Sequence, residues 1–471
     1  MKRIVAAVAA ALLAAPHPVR AQQLSRYQQL ARDIYQELIE TNSSTMSAGT
    51  TEAAQKMAKR FRDAGFPESD IFLGGVRPDK YNLVVRYHGK GGANGPKPLL
   101  LLAHLDVVEA LKTDWSPDLD PFKLTERDGY FYGRGTSDDK AQAAIWVAVV
   151  LQLKAEGYVP DRDIIVALTA DEEGGCCNGA RWLVANHRDL VDAAYVLNEG
   201  GFGYLRNGKP MENVVEATQK VFTGFNITAK NKGGHSSLPR PDNAIYELAA
   251  ALMRFSQYTF PVDLNPVSRA YFEKTALVES PANAAAMRAI LKNPSDKAAS
   301  AVLSRDPLYN STLRTTCVAT MLKGGHAQNA LPQTAEAYIN CRMVPNARAS
   351  DVRAAIVKAI ADTAIEVQAA QDLEPMQPSP LLPEVMGPIE QITKEMWGDI
   401  PVIPTMMTGA TDAIPWRQLG IPAYGVSGVM IDPGDLRAHG RDERILVKSF
   451  YDGQTFMYRL TKALSSARVV P

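Results

Sequence analysis

The chain has 471 residues, 46% hydrophobic and 22% charged, with 51 Lys+Arg against 51 Asp+Glu. This balance excludes a disordered tail, a collagen-like repeat and a strongly basic nucleic-acid binder. At roughly 150 residues per domain the length predicts two or three domains, enough to bury real cores and leave a cleft between them.

Residues 1–21 open with Lys2-Arg3, continue as an apolar run from Ile4 to Ala15, and end Val19-Arg20-Ala21. This is the pattern of a secretory signal peptide cleaved after Ala21. The run is too short for a membrane anchor, which needs about 20 apolar residues. Cleavage removes three positive charges and leaves 48 against 51, net −3. The expectation is a periplasmic or secreted protein with neither a membrane nor a nucleic-acid partner.

Leu24 to Glu40 and Thr51 to Ala64 carry helical spacing, the second stopped by Gly65-Phe66-Pro67. A β/α alternation follows. It comprises strand Leu99 to Ala103, helix Ala141 to Glu156, strand Ile164 to Thr169, helix Gly179 to Asn186 and strand Ala194 to Leu197. Strands this apolar, separated by helices, belong to an α/β sheet covered on both faces. Near Val221 the character changes. Phe222 to Lys230 alternates like a strand, Asn243 to Phe255 reads as a helix, and a Pro- and Ala-rich stretch runs from Pro261 to Asp306. Strands Thr315 to Lys323 and Ala335 to Met343, helix Ala349 to Thr363 and strand Ile365 to Ala369 complete a β-α-β-β-α-β order. That order predicts a small ferredoxin-like sandwich. The predicted division is a catalytic domain over 22–220 and 376–471, interrupted by an inserted domain over 221–375.

Three of the apolar strands deliver acidic or histidine residues just past their carboxyl ends: His104 and Asp106, then Asp171-Glu172-Glu173, then Asn198-Glu199. Open α/β sheets place their sites there. Between the first two lies Gly133-Arg134-Gly135-Thr136-Ser137-Asp138-Asp139-Lys140, a glycine-rich turn opening a helix. Its paired aspartates would repel a phosphate and suit a cation. Of the histidines outside the signal, His88, His187 and His326 have ordinary surroundings, whereas His104, His235 and His439 are flanked by glycine or acid. The four cysteines have no zinc-ribbon spacing; Cys317 and Cys341 could bridge neighbouring strands, and Cys176 and Cys177 are adjacent.

Taken together, His104-x-Asp106, Gly133-Arg134-Gly135-x-x-Asp138-Asp139-Lys140, Asp171-Glu172-Glu173-Gly174, Asn198-Glu199-Gly200-Gly201, Gly233-Gly234-His235-Ser236-Ser237 and Arg437-Ala438-His439 resemble the motifs of the M20 metallopeptidases. The resemblance runs from about residue 25 to 465. It implies a three-layer αβα catalytic domain with an inserted ferredoxin-like lid that also serves dimerisation. It further implies two zinc ions per subunit, with cobalt or manganese as substitutes: His104 and Glu199 on one, Glu173 and His439 on the other, and Asp138 bridging. Asp106 would orient His104, and Glu172 would be the general base toward a water shared by the ions. His235 would stabilise the oxyanion, often from the partner subunit, and Asn329, Arg342, Gly409 and Thr411 would face the substrate's carboxylate.

The implied activity is hydrolysis of an amide or peptide bond, carboxypeptidase-like, on peptides or N-acyl amino acids with a free carboxylate. A dipeptidase or aminoacylase of the same family is the alternative. In the family, a glutamate at the position of Glu199 goes with carboxypeptidases and aminoacylases, an aspartate with aminopeptidases. A non-catalytic binding protein on this fold would lack a ligand or the base, and none is missing. A binuclear phosphoesterase would want more cations than Arg134, Lys140 and Arg437. Three positions depart from the family pattern: Ala141 where a glycine is usual, Cys176-Cys177 beside the site, and the long 261–306 stretch.

Overall fold

The computed structural model describes residues 23–92, 95–370 and 375–466; the expected signal peptide lies outside them. A ten-stranded mixed sheet forms the centre. At its heart strand Leu99–His104 runs parallel to Ile164–Thr169 on one side and to Tyr195–Asn198 on the other. Leu99 to Ala103 are all buried because successive side chains enter two different cores. Leu99, Leu101 and Ala103 pack with helices Arg26–Ile39, Lys140–Ala155 and Val447–Ser465, while Leu100 and Leu102 pack with Ala180, Leu183 and Trp416. Each leucine so buried contributes about 1.5–3 kcal/mol. The helix Lys140–Ala155 is apolar nearly all round because the sheet and two helices enclose it.

The second unit is a four-stranded antiparallel sheet in the order Thr316–Gly324, Thr334–Met343, Val221–Lys230, Ile365–Ala369. Helices Ala244–Ser256 and Ala349–Ile360 cover one face through Phe225, Ile227, Ile339, Leu248 and Ile356. This is the expected β-α-β-β-α-β sandwich. Cys317 and Cys341 are cross-strand partners joined by a disulfide, and Cys176 is bonded to Cys177.

The stretch from Pro261 onward, read from sequence only as Pro- and Ala-rich, contains four helices: Pro266–Thr275, Pro281–Lys292, Lys297–Leu303 and Pro307–Leu313. Asn265, Ser280, Asp296 and Asp306 cap them through side-chain oxygens, and three begin with proline, which fixes the first helical φ. Phe272, Met287, Ile290, Leu303 and Leu313 pack with Ile403 of strand Val402–Met407. These helices therefore rest on the central sheet and not on the four-stranded one. Among the described residues no helix is long and apolar enough to cross a membrane.

Candidate metal centre

His104, Glu172-Glu173 and Glu199 arrive on three strands adjacent in the sheet, all at their carboxyl ends. Asp138 and Asp139 precede the helix Lys140–Ala155, and His439 comes from the loop before strand Arg444–Leu446. Asp138 sits between the two histidines: its Oδ1 lies 3.0 Å from His104 Nε2 and its Oδ2 3.1 Å from His439 Nε2. His439 Nε2 is also 2.7 Å from Glu173 Oε1, and His104 Nε2 is 3.9 Å from Glu199 Oε2. The result is two histidine–carboxylate groups sharing one aspartate.

Histidine nitrogens converging with carboxylate oxygens suit a divalent cation of the zinc type. His104, Asp138 and Glu173 bring potential ligand atoms within 4.8 Å of one another, as do His104, Asp139 and Glu199. Asp139 is the second of the paired aspartates that suit a cation, although the family resemblance gave it no place in the ligand set. Its Oδ2 is buried without a hydrogen-bond partner, and burial raises the carboxyl well above the usual range. An orphaned buried carboxylate oxygen beside this cluster is what a bound cation would satisfy.

Asp106 is buried between His104 and the two glutamates. Its backbone carbonyl accepts from His104 Nδ1 at 3.0 Å. Its carboxylate, 3.7 Å from the same nitrogen, accepts the Glu172 and Glu173 N–H groups at 3.2 and 3.0 Å. One side chain thus fixes the imidazole and the acidic turn together. Glu172 precedes the candidate ligand Glu173, and its carboxyl is pushed up to about 9. Burial is the largest cause, and the charges of Asp412, Glu173 and Asp106 add to it against the opposing pull of His104. Burial opposes the charged form of Asp138 too, but bonds to His104 and His439 hold its carboxyl well below the usual range.

The glycine-rich turn owes its shape to Glu443. Its buried carboxylate accepts the N–H groups of Gly135, Ser137 and Asp138 at 2.8–3.2 Å and the Ser137 hydroxyl at 2.9 Å. It also pairs with Arg134 at 2.7 Å, and Arg134 donates to the His439 and Gly440 carbonyls. The backbone cradle that a glycine-rich turn offers to an anion is filled here by the protein's own glutamate. Gly135 adopts φ +83° and an added Cβ would meet Val107 at 2.8 Å, so the turn needs glycine there. Lys140 points away from the cluster and donates to the Leu38 and Thr41 carbonyls. Asp412, also unassigned from sequence, accepts from Thr169 Oγ at 2.6 Å and Asn178 Nδ2 at 2.7 Å, tying the 409–412 loop to the strand that carries Glu172.

The remaining candidates are held by partners of their own. His235 is exposed on a short ribbon, Gly234–His235 paired with Ala330–Leu331, and its Nδ1 contacts Ser237 Oγ at 2.8 Å. Asn329 belongs to the same ribbon, its carbonyl accepting from Ser236 N–H. Neither residue is hydrogen-bonded to the histidine–carboxylate cluster among the described residues. Arg342 stands on the uncovered face of the lid sheet with its guanidinium 5.2 Å from the Phe222 ring centre. Thr411 is buried and donates to Gln219 Oε1 at 2.9 Å, and half-buried Gly409 lies in the same loop.

The profile of peptidase family M20/M25/M40 matches residues 100–463. The N-fatty-acyl-amino acid synthase/hydrolase PM20D1 of Xenopus tropicalis is 31% identical over 365 residues, 76% of this chain and 70% of that protein. The probable carboxypeptidase S-like 2 of Dictyostelium discoideum is 28% identical over 453 residues, 87% of this chain and 85% of that protein. Among solved structures, the M20 family metallo-carboxypeptidase Sso-CP2 of Sulfolobus solfataricus superposes with a TM-score of 0.67 at 19% identity, covering 92% of this chain and 99% of that one. The chain belongs to peptidase family M20/M25/M40 and is an amide- or peptide-hydrolysing enzyme of that family.

Proposed function

We propose that the protein is an exported di-zinc hydrolase that cleaves the amide bond of N-acyl amino acids or peptides ending in a free carboxylate. The observation that carries this reading is the pair of histidine groups sharing Asp138, with the Glu172-Glu173 turn held by Asp106 next to His104. When bound, two divalent ions supply Lewis acidity that polarises the scissile carbonyl and acidifies a water. His104 and Glu199 would hold one ion and Glu173 and His439 the other, with Asp138 between them. Asp139 would lend its orphaned oxygen to the first group.

Glu172 takes the proton of the attacking water and returns it to the leaving nitrogen. Burial and neighbouring carboxylates raise its carboxyl in the metal-free protein; two cations held next to it would oppose that shift and keep it ionised to accept the proton. Arg342 holds the substrate carboxylate from the lid, with Asn329 and the Gly409–Thr411 loop beside it, and His235 donates to the oxyanion. The name of the Xenopus relative favours N-fatty-acyl amino acids among the substrates. Export rests on the pattern of residues 1–21 and agrees with two disulfides in the described chain.

His235 lies outside the cluster of its own subunit, and a lid edge offers a route by which a second copy brings one in. Strand Thr316–Gly324 is a sheet edge exposing Val318, Met321 and Leu322, next to Tyr246 and Met253 on the neighbouring helix. An edge of that kind invites strand pairing between chains. We therefore read the protein as a homodimer through the lid.

The test is a screen of zinc-reconstituted enzyme against N-acyl amino acids, dipeptides and longer peptides, each with a free or amidated terminus. Free acids are expected to be cleaved and amides spared; indifference to amidation overturns the carboxylate reading. Glu172→Ala is expected to bind two zinc ions and lose activity by several orders of magnitude, and wild-type turnover in that variant would remove Glu172 from the role of base.

A further inference from the structure

At the junction of the two units Lys220 feels the charges of Arg314 and Arg342. Lys220 is the last residue before the lid strand Val221–Lys230, and its N–H donates to the Met407 carbonyl at the start of the loop that holds Gly409 and Thr411. Its side chain is fully buried. The ammonium donates to the Arg314 carbonyl at 2.5 Å and approaches Thr316 Oγ at 3.4 Å. Thr316 and Phe222 are the cross-strand neighbours of Arg342 on its two sides, so Lys220 lies behind the residue proposed to hold the substrate carboxylate. Arg314, 5% exposed, donates to the Phe260 carbonyl and to the Ser300 and Ser304 hydroxyls, and its Nε has no partner.

Other buried cations of this chain are treated differently. Lys80 pairs with Asp171, Arg134 with Glu443 and Arg417 with Glu216, all at 2.6–2.7 Å. Lys140 is satisfied by carbonyls but feels Glu443 and Asp106. Among the described residues no carboxylate is ion-paired with Lys220, Arg314 or Arg342. Burial and the two guanidinium charges push the Lys220 ammonium down to about 7, and burial lowers both arginines. Collecting like charges in a poorly hydrated place is costly, and an anion placed before them recovers that cost.

We propose that Lys220 is a positioning residue for substrate selection: seated behind Arg342 with Arg314, it deepens the positive potential at the carboxylate subsite and sets the preference for a free acid. This rests on the carboxylate reading of the site proposed above. Lys220 does not touch the substrate; it acts through Arg342 and through the 407–411 loop that its backbone anchors.

The experiment compares zinc-loaded wild type, Lys220→Gln and Lys220→Arg on N-lauroyl-L-phenylalanine and its C-terminal amide. In Lys220→Gln the KM for the free acid is expected to rise about tenfold while kcat holds, and the acid-to-amide ratio of kcat/KM is expected to fall by the same factor. Lys220→Arg is expected to stay near wild type. An unchanged KM for the acid, or equal losses on acid and amide, overturns the proposal. Should Lys220→Gln melt below the assay temperature, Lys220→Met, which keeps the buried stem, is read in the same way. A wild-type enzyme indifferent to amidation overturns the underlying reading, whereas a discriminating wild type with an unchanged Lys220→Gln overturns this inference alone.

Discussion

Glu443 offers no ligand to the cluster, yet four donors of the 135–138 turn and the Arg134 guanidinium converge on its carboxylate. Glu443→Ala leaves Arg134 buried and unpaired and frees the turn that presents Asp138. We expect a loss of about 3–5 kcal/mol in denaturant unfolding together with a fall in zinc per subunit; unchanged stability would show that the turn holds itself. His439 gives a pH signature. Bonds to Asp138 and Glu173 outweigh desolvation and raise its imidazole from 6.5 to about 10 in the metal-free protein. Because the folded value lies above the unfolded one, the stability this group adds is full below pH 6.5 and is lost as pH rises through about 10. A metal must displace the same proton, so zinc affinity is expected to climb from pH 6 to pH 9 in competition with a chromophoric chelator. A flat profile would remove His439 from the ligand set.

At the scale of elements, the three parallel strands act as one ruler, and their neighbours keep it straight. Strand Ala423–Gly425 pairs with Tyr195–Asn198 so closely that a Cβ on Gly425 would lie 2.1 Å from the Glu199 carbonyl oxygen. Gly425→Ala must therefore push the Glu199 segment away, at about 1–3 kcal/mol for overpacking. The expected outcome is reduced zinc content by elemental analysis and at least tenfold lower activity. Full metal loading would mean that the strand pair yields without moving Glu199. The capped helices between Pro266 and Leu313 show a second role for elements. They brace strand Val402–Met407, whose carboxyl end leads into the Gly409–Thr411 loop and contacts Lys220.

At the scale of the molecule, the proposed site is divided between a sheet that would gather the metal ligands and a lid that carries His235, Asn329 and Arg342. If His235 acts across a lid-to-lid dimer, His235→Ala and Glu172→Ala subunits should complement each other. Each mixed dimer then holds one site with an intact base and an intact donated histidine. Co-expression of the two inactive variants is expected to restore about a quarter of wild-type activity, the share of sites that random pairing makes whole. No recovery in dimers shown by mass to be mixed would mean that His235 serves its own subunit or none.

The sequence by itself determined the local order: which runs are strands, because apolar residues fill both faces of a covered sheet, and which residues follow their carboxyl ends. It also carried the β-α-β-β-α-β sandwich and, through six ordered motifs, the family. The Asn265-Pro266, Ser280-Pro281 and Asp306-Pro307 pairs held a helix-start signal that proline and alanine content concealed, although the caps are local chemistry. What only the tertiary structure decided are meetings between residues far apart in the chain. Glu443 fills the cradle of a turn some 300 residues earlier, Asp412 reaches Thr169, and Lys220 comes to rest beside Arg314 and behind Arg342. Such contacts have no periodicity to read. They exist because burial strips charges of water and forces each to find a partner in space.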